Sequence, residues 1–256
     1  MKQVLFKKNL LRGILPLKWL FLFALSGLVL SSCLKDETGW GTYYVNYGII
    51  QGTSSNFSIV TDEGEVLHVV ENKDPGFEIA DGKRVVVNYS VLATNEDSKD
   101  VRINELVDLL TKLPVLSSSL SSTQQDSIGF NPIEVTDVWF GGAKYLNINF
   151  MVYRANANIK HFINLVVNEN ESTIDRKVVQ LRHNAYDDPW VTQSYGRVSF
   201  DVSSLLPAGM DSIKLVLKWH TYGDDIKCDS GYYKPGFQAV GFQISEGMFL
   251  SKERIR

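Results

Sequence analysis

Tyr145 to Tyr153 reads YLNINFMVY, and its alternation decides the fold. Leu146, Ile148, Phe150 and Val152 fall on one face, with Asn147 and Asn149 on the other, because successive side chains of a strand point to opposite sides. One apolar and one polar face describe a half-buried antiparallel strand. Working outward, the same short apolar runs recur at Ile133 to Phe140, His161 to Val167, Val178 to Arg182, Val198 to Val202, Ile213 to His220 and Ala239 to Ile244. Turn residues separate them, and hardly any helical period competes. Seven such strands in about 120 residues predict a two-sheet, immunoglobulin-like antiparallel β-sandwich over 133–256, without an intersheet disulfide.

Upstream, Trp40 to Ile50 is an aromatic-rich strand, and Phe57 to Val60 and Val66 to Val70 make a hairpin about Asp62-Glu63-Gly64. Lys83 to Ala93 is a longer strand after the Asp81-Gly82 turn. Val101 to Leu116 fits either a last strand or a helix with Leu106, Leu109, Leu110 and Leu113 on one face. Five short strands suit a small OB-like barrel, placed at 39–116. Ser117 to Thr123 (SSSLSST) has no apolar period, so 117–132 reads as a serine-rich linker. The fold class is all-β: a small OB-like barrel followed by the sandwich.

The amino terminus is an address. Lys2 to Lys18 form a basic leader, and Trp19 to Leu30 (WLFLFALSGLVL) form an apolar run ending at Ser31-Ser32-Cys33. That run is far short of the ~20 apolar residues needed to span a bilayer. It resembles a bacterial lipoprotein signal, which implies a signal peptide at 1–32, an acylated Cys33 as the first mature residue, and a tether at 33–38. Each buried CH₂ contributes roughly 0.8 kcal/mol, so two or three acyl chains hold a protein to the lipid bilayer durably. Lys35-Asp36-Glu37 resembles a surface-export signal of Gram-negative lipoproteins, the other reading being a solvated tether. The expected location is the outer membrane, with the body exposed at the cell surface.

The chain of 256 residues carries a net charge of −3. Losing the five basic residues of the leader (Lys2, Lys7, Lys8, Arg12, Lys18) leaves 21 basic against 29 acidic side chains, near −8. With no basic stripe in the sequence, so acidic a body repels phosphate backbones, and nucleic acid is not an expected partner. Gly-x-Ser-x-Gly, a phosphate-cradling glycine loop, His-Glu-x-x-His and paired Cys-x-x-Cys are all absent. No catalytic residue, cofactor or metal is expected.

Several clusters of polar and aromatic residues bear on that expectation. His183, Asn184, Asp187 and Asp188 offer hard ligands that would suit calcium, or else form a turn whose carboxylates cap backbone groups. Asp224, Asp225 and Asp229 imitate a carboxylate pair but read better as a solvated loop. His68, His161 and His220 alternate with apolar neighbours and read as hydrogen-bonded structure. Cys228 reads as a small buried hydrophobe, the other reading being a loose thiol. Trp139 and Trp219 lie in strands and read as core. Trp190, Tyr195, Tyr222, Tyr232 and Tyr233 fall in or near loops, and of these Trp190, Tyr195 and Tyr222 are the ligand-binding candidates.

Leu110-Thr111-Lys112, Asp126-Ser127-Ile128-Gly129, Asn131-Pro132-Ile133, Tyr145-Leu146-Asn147, Leu181-Arg182-His183-Asn184-Ala185-Tyr186 and Val198-Ser199-Phe200-Asp201 follow one another in order. This string resembles the NigD-like lipoprotein family from the lipobox through Trp219, most specifically in its RHNAY and VSFD pieces. The resemblance implies an OB-like amino-terminal barrel and a carboxy-terminal β-sandwich. It also implies a non-catalytic envelope lipoprotein that acts by binding, because the family takes its name from a member proposed to be a bacteriocin immunity protein. A protein toxin is therefore the first expected partner. A surface glycan bound by the loop aromatics is the alternative.

Overall fold

Strand β1 (Tyr43–Thr53) serves two neighbours at once. Its carboxy-terminal half pairs with β2 (Asn56–Thr61), and its amino-terminal half with β4 (Arg84–Thr94). Gly48 lies where the halves overlap; a Cβ there would stand 2.9 Å from the Val60 carbonyl oxygen, so the close approach needs glycine. With β3 (Val66–Asn72) and β5 (Ser98–Asp108), these strands close a five-stranded barrel in the order β1-β2-β3-β5-β4. All neighbours are antiparallel except β3 and β5. Ile50, Ile59, Leu67, Val85, Val87, Tyr89, Val101 and Ile103 fill it. The computed structural model describes residues 42–236 and 240–241, so the leader, Cys33, the tether and the end of the predicted Ala239 to Ile244 strand lie outside the described residues.

The stretch Val101 to Leu116 is neither one strand nor a helix. It splits into the end of β5 and two two-residue strands, β6 (Thr111–Lys112) and β7 (Val115–Leu116). β6 runs parallel to β12 (Thr192–Asp201) and β7 parallel to β10 (Phe162–Asn168), so both hydrogen-bond to the sandwich and not to the barrel. The serine-rich stretch that follows carries a 3-10 turn and the helix α1 (Ser122–Ile128). Ser121 and Gln124 form a capping box: the Gln124 amide donates to Ser121 Oγ, and the Ser121 amide to Gln124 Oε1. That Ser-x-x-Gln signal outweighs the missing apolar period.

The sandwich stacks two sheets. One runs β15 (Val240–Gly241), β8 (Glu134–Gly141), β9 (Tyr145–Arg154), β12, β6. The other runs β14 (Ile226–Tyr233), β13 (Ile213–His220), β11 (Arg176–Asn184), β10, β7. Leu146, Ile148, Phe150 and Val152 face the core as their alternation requires, opposite Ile163, Leu165, Val179, Leu181, Leu215 and Leu217. The sequence reading misses β14 because Lys227, Cys228, Asp229 and Ser230 dilute its apolar content. It also starts β12 six residues late, because Thr192 to Arg197 is polar along an exposed edge. Among the described residues no helix is long and apolar enough to cross a membrane.

A buried ion pair joins barrel to sandwich. Asp62, in the β2–β3 turn, and Arg84, at the start of β4, are almost wholly buried and bond through both oxygens of the carboxylate, one of them at 3.1 Å. The sandwich completes the site. Asn147 donates to Asp62 Oδ2 at 2.7 Å and accepts from Arg84 at 2.9 Å, Ser199 Oγ accepts from Arg84 at 3.2 Å, and the Tyr145 ring lies 4.2 Å from the guanidinium. Gly142, at φ +57°, leaves room, since a Cβ would sit 2.8 Å from Asp62 Oδ1. Beside this cluster the Tyr47 hydroxyl donates to Asn149 at 2.6 Å, and Trp139 packs edge-on against the Tyr47 ring. Trp139 is thus half-buried at the junction between the two bodies, whereas Trp219 is core.

Candidate functional site

The end of the sandwich away from the barrel is built by two segments that grip each other. Gly129, at φ +76°, packs so tightly that a Cβ would lie 2.6 Å from Asn184 Cβ, and its carbonyl accepts from Arg182 at 2.7 Å. Asn184 donates to the Ser127 carbonyl at 2.9 Å, Asn131 Oδ1 accepts from the Ala185 amide at 2.9 Å, and the Asn131 amide donates to the His183 carbonyl at 2.8 Å. The Arg182 guanidinium lies 4.6 Å from the Phe130 ring. This clasp holds Tyr186 and Asp187 at φ +51° and +60°, a conformation that costs roughly 1–3 kcal/mol per residue outside glycine. The Asp188 amide closes the turn on Ala185 at 3.1 Å.

Asp188 then organises the neighbouring loop. Its carboxylate accepts from the Ala155 amide at 3.0 Å, the Asn156 amide at 3.1 Å and His161 Nε2 at 3.1 Å. His161 Nδ1 faces His183 Nε2 at 2.9 Å, and His183 Nδ1 faces the Pro132 carbonyl at 2.8 Å. Desolvation pushes the His183 pKa down to about 4, with His161 adding to the effect, so this ring is neutral. Burial works against an ionised Asp188, but its hydrogen bonds from Ala155, His161 and Asn156 hold it below the usual carboxylate range. Hydrogen-bond polarity then assigns the protons. The Pro132 oxygen only accepts, so the neutral His183 carries its proton on Nδ1 and accepts at Nε2 from His161 Nδ1, while His161 Nε2 faces the Asp188 carboxylate. Both ring nitrogens of His161 and of His183 therefore face a group of the protein itself.

The sequence groups His183 and Asn184 with Asp187 and Asp188 and sets His161 apart. The structure brings His161, His183 and Asp188 together and leaves Asp187 exposed. Antiparallel pairing of β10 with β11 sets Ile163 opposite His183, which carries His161 to the same corner. Among the described residues no group of three or more His, Cys, Asp or Glu side chains is placed to hold a metal ion. His220 bonds the Phe130 carbonyl and Asp224, while His68 is exposed beside Asp100. Asp224 and Asp225 are exposed in the turn, but Asp229 is buried on β14 and burial raises its pKa, correcting the solvated-loop reading for that residue. Cys228 is corrected too: β14 turns it outward and leaves it exposed, because inward positions on that strand go to Asp229, Gly231 and Tyr233.

The ligand-binding candidates divide. Trp190 and Tyr222 meet edge to face at 4.9 Å, and Tyr153 meets the other side of Tyr222 at the same distance. The Tyr222 hydroxyl accepts from the Tyr153 amide at 2.8 Å, and Gln193 donates to the Tyr153 hydroxyl at 3.1 Å. Trp190 remains 56% exposed on this seat. Tyr195 is not part of the assembly. It stands 74% exposed on β12, outside any loop, and lines a groove of about 720 Å³ between β12 and β10. Tyr232 is exposed on β14, whereas Tyr233 is core, so neither is a loop residue.

Residues 49–109 match the NigD-like N-terminal OB domain, and residues 116–230 match the NigD-like C-terminal beta sandwich domain. The chain belongs to the NigD-like family. Three solved structures share its fold at low identity. A NigD-like immunity protein from Bacteroides caccae is 21% identical, with a TM-score of 0.62 over 77% of this chain and 98% of that one. A candidate toxin-related protein from Parabacteroides distasonis is 24% identical, with a TM-score of 0.64 over 84% of this chain and 100% of that one. A candidate lipoprotein from Bacteroides fragilis is 13% identical, with a TM-score of 0.57 over 76% and 100%. No curated protein matches the chain.

Proposed function

We propose that this NigD-like protein is a non-catalytic lipoprotein of the outer membrane, held through acylated Cys33 and exposed at the cell surface. It acts there by binding a protein toxin, as a bacteriocin immunity protein. The observation that carries the reading is the rigid aromatic assembly at the far end of the sandwich, where Trp190 is presented to solvent on Tyr222 and Tyr153. Seated aromatic rings of this kind are frequent anchors of protein interfaces. The absence of enzyme activity is argued from the His161–His183–Asp188 chain, whose nitrogens are all taken by internal partners and which leaves none to work as a base. Neighbours described as an immunity protein, a candidate toxin-related protein and a candidate lipoprotein support the same direction.

The test is to delete the gene and challenge the strain with any bacteriocin encoded beside it. The deletion sensitises the cells; wild-type protein restores protection, while Trp190→Ala with Tyr222→Ala does not. Unchanged sensitivity refutes the immunity role. Metabolic labelling with an alkyne fatty acid tests the anchor, with label expected on the wild type and none on Cys33→Ser. The exposed Trp190 face also favours a second reading, a sugar-stacking platform, which a glycan array with the full chain in detergent would detect as a retained sugar lost with Trp190→Ala.

A further inference from the structure

The β12 edge of the sandwich is open. The Ser199 amide donates outward to the Leu110 carbonyl at 2.8 Å, and the β9–β12 register runs from Thr192 to Asp201 without a shift. Odd-numbered residues of β12 therefore turn their amides and carbonyls away from β9. For Gln193, Tyr195 and Arg197 no partner meets those groups among the described residues, because β6 covers only Ser199 and Phe200. The Tyr153 amide, which donates to Tyr222 and not to β12, agrees with this phase. An unpaired run from Thr192 to Arg197 is a strand edge of about 20 Å, the kind of template that folded proteins usually cover.

The edge opens onto the 720 Å³ groove, whose floor is Phe150, Val152 and Ile163 from between the two sheets. Gly196 makes that floor possible. The Phe150 ring lies where a Cβ would be, so it can reach across β12 into the groove. The rim carries Lys112, Arg154 and Lys160, and no carboxylate is among the lining residues. Lys112 lies 4.1 Å over the Phe162 ring and donates to the Ile163 carbonyl at 2.8 Å, which fixes its charge beside the β10 wall. A cationic groove in a body whose acids outnumber its bases is a charge choice aimed at an anionic occupant.

We propose that this groove receives an extended acidic segment of a polypeptide partner, added to β12 as a further strand. The outward groups of Gln193, Tyr195 and Arg197 supply the ladder, alternate apolar side chains insert onto Phe150, Val152 and Ile163, and acidic side chains meet Lys112, Arg154 and Lys160. The inference rests on the reading above that the partner is a protein, and adds how it is held.

A phage-displayed library of random dodecapeptides, panned on the full chain in detergent, tests it. The enriched peptides are expected to alternate apolar with acidic residues. N-methylation of the leading peptide should cut affinity at least tenfold at every second position and little at the positions between. Tyr195→Pro, which removes one outward amide and leaves the β9 ladder intact, should weaken that peptide at least tenfold at an unchanged melting temperature. Lys160→Glu should weaken it too, by an amount that shrinks as salt rises. Enrichment of basic peptides, of sequences matching residues 242–256, or of none overturns the proposal, as does uniform tolerance of N-methylation. A chain that is dimeric in sedimentation and made monomeric by Tyr195→Pro overturns it in favour of a second copy. If Tyr195→Pro still protects cells while the Trp190 and Tyr222 variant does not, strand addition falls and the immunity reading stands.

Discussion

Arg84→Met tests whether the buried ion pair fastens barrel to sandwich. The substitution keeps a long apolar stem and removes the cation, leaving the Asp62 carboxylate with a side chain only 2% exposed. Asn147 still donates to it at 2.7 Å, but one neutral donor does not replace a guanidinium bonded through both oxygens. Breaking a buried pair by removing one partner costs about 3–5 kcal/mol, and lost contact with the Tyr145 ring adds up to about 2 kcal/mol. With a urea dependence near 2–3 kcal/mol per molar, the midpoint should fall by about 1–3 M, followed by tryptophan fluorescence and far-ultraviolet dichroism. Asp62→Asn should cost a similar amount by stranding Arg84. The double variant buries no charge, so it should be at least about 2 kcal/mol more stable than the sum of the single losses requires. High salt should leave the Arg84→Met loss unchanged, because solvent does not reach the pair. Single losses below about 1 kcal/mol, or strictly additive ones, would show that the pair does not fasten the two bodies.

Three further outcomes follow from the same geometry. His183 has a folded pKa near 4 against 6.5 unfolded, so its contribution is complete above pH 6.5 and is lost as the unfolded chain takes up its proton on acidification. Between pH 6.5 and 4 the wild type should lose about 3 kcal/mol more than His183→Gln, read from urea midpoints at each pH; equal losses would sink this account. Gly129→Ala should lower stability by about 2–4 kcal/mol, since it adds a positive-φ penalty to a collision with Asn184 and the His183 carbonyl. Thermal unfolding measures it, and an unchanged midpoint would mean the clasp is slack. Cys228 should react with a maleimide in the native protein as fast as in urea, whereas protection would restore the buried reading.

Several sequence pieces that read as a mere string acquire partners in the structure. Asp126-Ser127-Ile128-Gly129 and Asn131-Pro132 grip Arg182-His183-Asn184-Ala185 through three backbone carbonyls and the Asn131 side-chain oxygen, a relation between segments over 50 residues apart. Asn147 in YLN and Ser199 in VSFD meet on Arg84. Leu110-Thr111-Lys112 supplies the edge strand whose end leaves the groove open. Trp190 and Tyr222 are legible in the sequence as loop aromatics, but nothing in their spacing reveals that Tyr222 packs on Tyr153 and carries Trp190.

Period-two alternation is a local property, so a mostly-strand chain and the inward face of β9 are legible in neighbouring residues. The apolar leader ending at Cys33 is likewise read from consecutive residues. Which strands become neighbours depends on closing loops of many tens of residues, and no local pattern encodes that choice. Folding therefore settles that Lys112 leaves the barrel for the sandwich, that Cys228 faces water while Asp229 does not, and that His161 meets His183. Each of these turns on which partner lies across the sheet, where burial and hydrogen bonding outweigh what a residue's own neighbours in sequence prefer.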